Sequence, residues 1–531
     1  MIFEIKREKE LSYIEYEYNE VAGAPVTLEK IYEKVKDCFE YKKVAAKVDN
    51  ILRPMSWEIC EDCRIEYIDV TNHGGNLIYQ SSAAMVFLKA LYDINPEAKA
   101  IVDNALNKGL YIKLVNGIEV TEELVKCISE QMRLLVEEDR IIKKEIRNGK
   151  KFYSIDDFEA SFCSELVPAT GYVELFDLKK YEKGMLLKTP DPDNPKELPM
   201  GRDEKHIFNA FKERDKWQKL LGVMCADDLN NVIAEDKYSQ LIQVSEALHE
   251  SKIVEIAKDI ISNKKRIVLI AGPTSSGKTT FAQKLCIQLM IHGAKPIYLG
   301  TDDYFINRED TPFDEEGHRD FESLVAVDID LFNSQMNDLL NGVMVDVPVY
   351  DFLTGEKVFG TRFTQLEGNQ PIVIEGIHAL NDVLTAGIKD DEKYRIYISP
   401  LTGLNLDNYN RISTTDERLL RRIVRDNMRR GRSAEETILM WPRVRKGEDR
   451  NIFPYDGNVD TFFNSVHIYE IPILKKYVQP LLEQIDDKSE SYDVAQRLLE
   501  FLDYFNMYDN DDEIPNNSIL REFIGRSVFV R

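Results

Sequence analysis

The chain has 531 residues, 43% of them apolar and 31% charged, with a formal net charge of −24. That length is too great for one ordinary core and predicts two to four domains. The acidic balance disfavours broad binding to phosphate backbones, and no run of 18 apolar residues exists to cross a membrane.

The N-terminus, MIFEIKREKELSYIEYEYNE, is charged from its fourth residue and lacks the apolar core of a signal peptide, so a cytoplasmic location is expected. Residues 1–75 alternate charged stretches with short β-like runs, VAAKVD and RIEYIDV. The texture changes at His73-Gly74-Gly75. The run SSAAMVFLKALYDI then has helical apolar spacing, and VTEELVKCISEQMRLLVEED predicts a second helix capped by Thr121. KTPDPDNPKELPMG, 188–201, reads as a loop, and 205–262 as a mostly helical connector. The seven cysteines are scattered, so ordinary reduced thiols are expected; Cys60 and Cys63 form one CxxC with no second pair.

From Arg266 the pattern becomes α/β. RIVLIAG, KPIYLG, QPIVIEG, KYRIYIS and SVHIYEI read as short buried strands separated by helical or irregular stretches, which predicts a parallel sheet covered on both faces. From about Asp486 the chain reads as an appended tail with one helix, DVAQRLLEFLDYF, followed by SILREFIG.

Gly272-Pro273-Thr274-Ser275-Ser276-Gly277-Lys278-Thr279 matches GxxxxGK[ST], between a predicted strand and a predicted helix that opens at the loop and continues through Thr280. In that context the loop amides cradle phosphates, Lys278 reaches the terminal ones and the Thr279 hydroxyl can ligate Mg²⁺. Glu375, ending QPIVIEG, is placed to be the ion's acidic partner; otherwise it is a solvated strand-end carboxylate. No guanine signature of the NKxD kind is present. Asp302, ending KPIYLG, can serve as a general base or as a turn or cap residue. DERLLRRIVRDNMRRGR is the one dense basic patch: a solvated helix face, a nucleic-acid patch or a phosphate-holding lid.

Six segments in order, GPTSSGKTT, GTDDYF, DFESLVAVD, VPVYDF, VIEGIHAL and DERLLRRIVRDNMRRGR, resemble the uridine kinase and phosphoribulokinase family of P-loop small-molecule kinases. The resemblance implies ATP and Mg²⁺ as cofactors and transfer of the γ-phosphate to a nucleoside 5′-hydroxyl. It implies Asp302, Lys278 and Arg425 as catalytic. Gly272, Thr274, Ser275, Ser276, Gly277, Lys278, Thr279, Thr280, Arg430 and Arg432 would bind the nucleotide. Asp302, Tyr304, Glu322, Tyr350, Phe352 and Arg422 would bind the acceptor, and Thr279 and Glu375 the metal. Where pyrimidine nucleoside kinases carry a base-contacting histidine the chain has Gly355, so uridine or cytidine is not assured.

The N-terminal half resembles the ubiquitin-like and editing-type domains of threonyl-tRNA synthetases, through YQSSAAMVFLKAL, NKGLYIKL and LVPATGYVELFDL. That resemblance implies α+β domains ahead of the kinase. The zinc-ligand positions read Ser81, Met85, and residues near Phe162 and Leu166, which removes both metal and ester hydrolysis. The expected organisation is therefore a ubiquitin-like domain over 1–75, a degenerate editing-type domain over 76–204, a helical connector over 205–262, the kinase over 263–482 and a tail over 483–531. The expected partner is a small-molecule nucleoside or sugar acceptor, with no membrane and no nucleic acid, and homo-oligomer formation left open. The rival activities are a kinase for a sugar alcohol or sugar phosphate, and an ATP-gated RNA-binding regulator.

Overall fold

The computed structural model describes residues 2–6, 13–17, 25–106, 108–201, 205–314, 317–351, 353–402, 404–455 and 457–530. Near the N-terminus, strands Ile2–Lys6, Tyr13–Glu17, Ala45–Val48, Ile51–Pro54 and Cys63–Ile68 form one mixed sheet. It shares a core with helix Leu28–Val35. The predicted helices follow as His73–Ile94 and Glu122–Glu137. Thr121 caps the second, its Oγ1 accepting from the Leu124 amide. They cover a four-stranded sheet that includes Lys99–Leu106 and Gly109–Val115.

The second half is built on five parallel strands: β1 (Ile267–Ala271), β2 (Ile297–Gly300), β3 (Ile372–Glu375), β4 (Lys393–Ser399) and β5 (Thr461–Asn464), in spatial order β2-β3-β1-β4-β5. A parallel sheet needs cover on both faces, and β1 shows it: Val268 and Ile270 join one core, Ile267, Leu269 and Ala271 the other. The segment 205–262 is more than a connector. Phe208 and Phe211 of its first helix enter one of these cores, and Leu241 to Ile260 of its long helix enter the other.

One predicted strand is displaced. SVHIYEI alternates like a strand, yet the strand is TFFN just before it. Asn464 Oδ1 accepts from the Leu401 and Val466 amides and ends the run. The His467 amide then donates to Glu470, which opens helix Glu470–Leu482. The two halves are stitched together: the Val102 amide donates to Asn408 O at 2.9 Å, Asn405 returns a bond to Val102 O, and Arg214 bonds Asp103 and Asn104.

The tail also packs on the parallel-sheet half: Leu498 of helix Tyr492–Leu502, together with Ile519, Leu520 and Phe523, is completely buried in the core that takes Val268 and Ile270. No described helix is long and apolar enough to cross a membrane.

Candidate active site

Helix α1 (Lys278–Ile291) starts directly from the phosphate loop. Gly277 takes φ +82° there, and a Cβ on Gly272 would lie 1.9 Å from Ile398 O, so both glycines are required by the backbone path. Ser275 (φ +60°) and Ser276 are buried, and neither hydroxyl has a partner. Lys278 Nζ donates to the Gly272 and Pro273 carbonyls, 2.9 and 3.1 Å away. Orphaned hydroxyls, a lysine folded on loop carbonyls and a helix N-terminus together fit a polyphosphate.

The metal candidates meet. Thr279 Oγ1 donates to Glu375 Oε1 at 3.0 Å, and Tyr298 OH donates to the same oxygen. Burial pushes the Glu375 carboxyl up to about 7, Lys278 opposing and Asp302 adding to the rise. A hydroxyl beside a carboxylate is the pair of hard oxygen donors that Mg²⁺ takes.

Asp302 lies in a single turn after β2, with its side chain open to the cleft. The crowding cleft walls raise its pKa to about 6, against the pull of Lys278 and with the push of Glu322 and Asp303. Glu322 is raised by burial too, with Glu448 adding to the rise and Arg422 opposing it. It lies against helix α3 (Ala434–Asn451), where Gly447 leaves room for it: a Cβ there would come within 2.7 Å.

Two acceptor-side candidates are found packed in the interior. Tyr304 is fully buried, its OH donating to Gln335 and its ring edge-on to Phe332; it is core beneath the acceptor loop. Tyr350 is likewise buried, against the Phe305 ring. Aromatics close to a strand end serve packing as readily as a ligand, and sequence does not separate the two. Phe352 lies outside the described residues. Gly355 adopts φ +79°, and a Cβ there would meet Arg308 at 2.7 Å. The Arg308 amide donates to Gly355 O.

The basic patch is helix α2 (Thr414–Arg430), running along the phosphate loop. Arg422 donates to Thr274 Oγ1 at 3.2 Å. Arg422, Arg425 and Arg430 converge on buried Asp426 at 3.3, 2.8 and 3.5 Å. Arg432, just past the Gly431 cap, donates to Met440 Sδ instead. Sequence reasoning missed Arg418 and Arg421. Arg418 donates to Thr274 O and pairs with Glu448, which in turn accepts from the Thr274 amide. Arg421 donates to Ser275 O and grips Glu470 with both arms. The signal was their spacing: 418, 421, 422 and 425 share one helical face.

The profile of the phosphoribulokinase/uridine kinase family matches residues 267–472. A uridine kinase of Ligilactobacillus salivarius is 30% identical over 176 residues, 33% of this chain and 73% of that protein. The chain belongs to this family. A uridine kinase of Staphylococcus haemolyticus is 31% identical over 180 residues, 34% of this chain and 77% of its own. Among solved structures, that of a possible uridine kinase from Bacillus stearothermophilus covers 40% of this chain and 98% of its own, at 18% identity and a TM-score of 0.28. The family assignment makes the chain a P-loop kinase; the match lies wholly in the second half.

Proposed function

We propose that the chain transfers the γ-phosphate of ATP to the 5′-hydroxyl of a nucleoside. The observation that carries this reading is the convergence of Asp302, in the turn after β2, on Lys278 and the Thr279–Glu375 pair; desolvation raises the Asp302 carboxyl to about 6 against the pull of Lys278. A general base works best with its pKa near the operating pH. Bound MgATP supplies a transferable phosphoryl group and its counter-ion. Thr279 Oγ1 and Glu375 would hold the ion. Lys278 would leave the Gly272 and Pro273 carbonyls for the terminal phosphates. The Asp302 carboxylate takes the proton of the attacking hydroxyl, and Glu322 would hold hydroxyls of the acceptor. Arg422, Arg425 and Arg430, already gathered by Asp426, offer the charge that exclusion of water makes effective.

A second reading, a sugar alcohol or sugar phosphate as acceptor, is favoured by one observation: Gly355 offers no side chain, and the cation Arg308 packs against it. We also read the N-terminal half as a degenerate synthetase-like region, and the protein as cytoplasmic. The degenerate reading is supported by Met85, Phe162 and Leu166, which are buried core residues.

The test is transfer of labelled γ-phosphate from ATP to a panel of nucleosides, sugar alcohols and sugar phosphates, with Asp302→Asn in parallel. A labelled nucleoside 5′-monophosphate that disappears in the variant is the expected result. Transfer only to sugars selects the second reading. Full activity of Asp302→Asn refutes the base assignment.

A further inference from the structure

The tail ends on the phosphate loop itself. Glu522 Oε2 accepts from the Thr280 amide at 3.2 Å and from Thr280 Oγ1 at 2.7 Å. Thr280 lies in the first turn of α1, whose free amides a phosphate loop offers to the α- and β-phosphates of its nucleotide. Here one is taken by a carboxylate of the chain's own C-terminus. Beside it, Ile519 covers Gly277 so closely that a Cβ on the glycine would lie 2.4 Å from Ile519 Cγ2. Glu522 is within the charge field of Arg421 and Arg429 on α2. The Phe523 ring lies under the Arg421 guanidinium, and Val530 O accepts from Arg429. An anion among two arginines at a helix N-terminus is in the surroundings a nucleotide phosphate requires.

The segment also holds its own shape. Arg521 is buried and binds Asp511 through its side chain and carbonyl, and Ile514 through its carbonyl. Residues 511–524 are thus tied into a loop by one guanidinium. Gly525 (φ +83°) and Arg526 (φ +62°) form a left-handed bend at its exit. Asp511 also accepts from Lys476 and Tyr477 of helix Glu470–Leu482, and Ile519, Leu520 and Phe523 are seated in the core, so the segment is anchored and it is the Glu522 carboxylate that can leave the Thr280 amide.

We infer that the C-terminal segment 518–525 is an internal competitor for the donor site, with Glu522 standing in for an oxygen of the nucleotide's α/β-phosphates. The inference rests on the kinase reading of the phosphate loop. It makes the resting enzyme self-inhibited: nucleotide gains the Thr280 amide only when Glu522 gives it up. It also accounts for a tail that follows the family's matched region and yet reaches its phosphate loop.

The test uses the full chain and needs no acceptor. MgATP affinity is measured calorimetrically for the wild type, Glu522→Ala and the milder Glu522→Gln, and hydrogen exchange across 511–526 is followed in the wild type with and without MgATP. A hydrogen bond to a charged group contributes about 1.5–3 kcal/mol, so losing the competitor is expected to tighten MgATP binding about tenfold or more. Added MgATP is expected to speed exchange in 518–525. Unchanged or weaker binding by both variants, or slower exchange in that segment with MgATP, overturns the inference and makes the tail a support of the donor site. If no variant binds any nucleotide, the donor-site reading itself fails, and the inference with it.

Discussion

Glu375 allows a quantitative test of whether the metal candidates are held ready at a cost. The perturbation is Glu375→Gln, which keeps the shape and leaves an oxygen to accept from Thr279 and Tyr298. Raising a carboxyl from its ordinary 4.5 to about 7 corresponds to about 3 kcal/mol. The side chain keeps partial contact with solvent, and screening reduces this to about 1–2 kcal/mol. The sign follows from linkage: the folded chain binds this proton more tightly than the unfolded one, so its contribution is whole below pH 4.5 and is lost as pH rises through 7. The metal-free Gln variant is therefore expected to be more stable than the wild type at pH 8, with Tm higher by about 2–4 °C per kcal/mol, and equal to it at pH 4. Thermal unfolding at the two pH values measures this. The wild type is expected to gain Tm on addition of Mg²⁺, and the same variant to lose that gain. A variant less stable at pH 8, or equally stabilised at both pH values, would refute the argument that the carboxylate is held against its solvation for the sake of a cation.

Further outcomes follow from the same geometry. The acid limb of kcat/KM is expected near pH 6, because protonated Asp302 accepts no proton; Asp302→Asn should flatten that limb and lower the rate about 10²–10⁴-fold while leaving MgATP affinity within a few-fold. Arg421→Met strands buried Glu470 and is expected to cost about 3–5 kcal/mol in denaturant unfolding, with no rescue by Arg421→Lys, which cannot supply two parallel donors. Gly355→Ala places a Cβ at φ +79° against Arg308, for a loss of roughly 1–2 kcal/mol; adding Arg308→Ala should recover only the part due to contact. On the proposed synthetase-like reading, metal analysis of the purified chain should find no stoichiometric zinc, and a chelator should leave Tm unchanged, since Met85, Phe162 and Leu166 are buried where that reading puts ligands.

The parts of this protein legible in its sequence are those set by short-range rules. The phosphate loop announces itself because the glycine at 277 and the lysine and threonine after it are demanded by one backbone path and one helix start. Strands β1 to β4 are legible as short runs rich in Ile, Val, Leu and Tyr because a parallel strand covered on both faces buries nearly every side chain. Thr121 is legible as a cap because its hydroxyl bonds three residues ahead. Other features depend on what the chain meets far away. SVHIYEI alternates like a strand, and only the Asn464 turn and the demand of Arg421 for Glu470 make it a bend and a helix start. Tyr304 and Tyr350 sit at motif positions but are buried against Phe332 and Phe305, contacts no local pattern reveals. Arg418 and Arg421 carry no role in the sequence reading until folding lays α2 along the loop, where their guanidiniums bind its carbonyls. Glu522 stands 242 residues beyond Thr280, and no local pattern links a glutamate in a tail to an amide of a phosphate loop. Local sequence determined which segments form the donor cradle; long-range packing decided which side chains fill it.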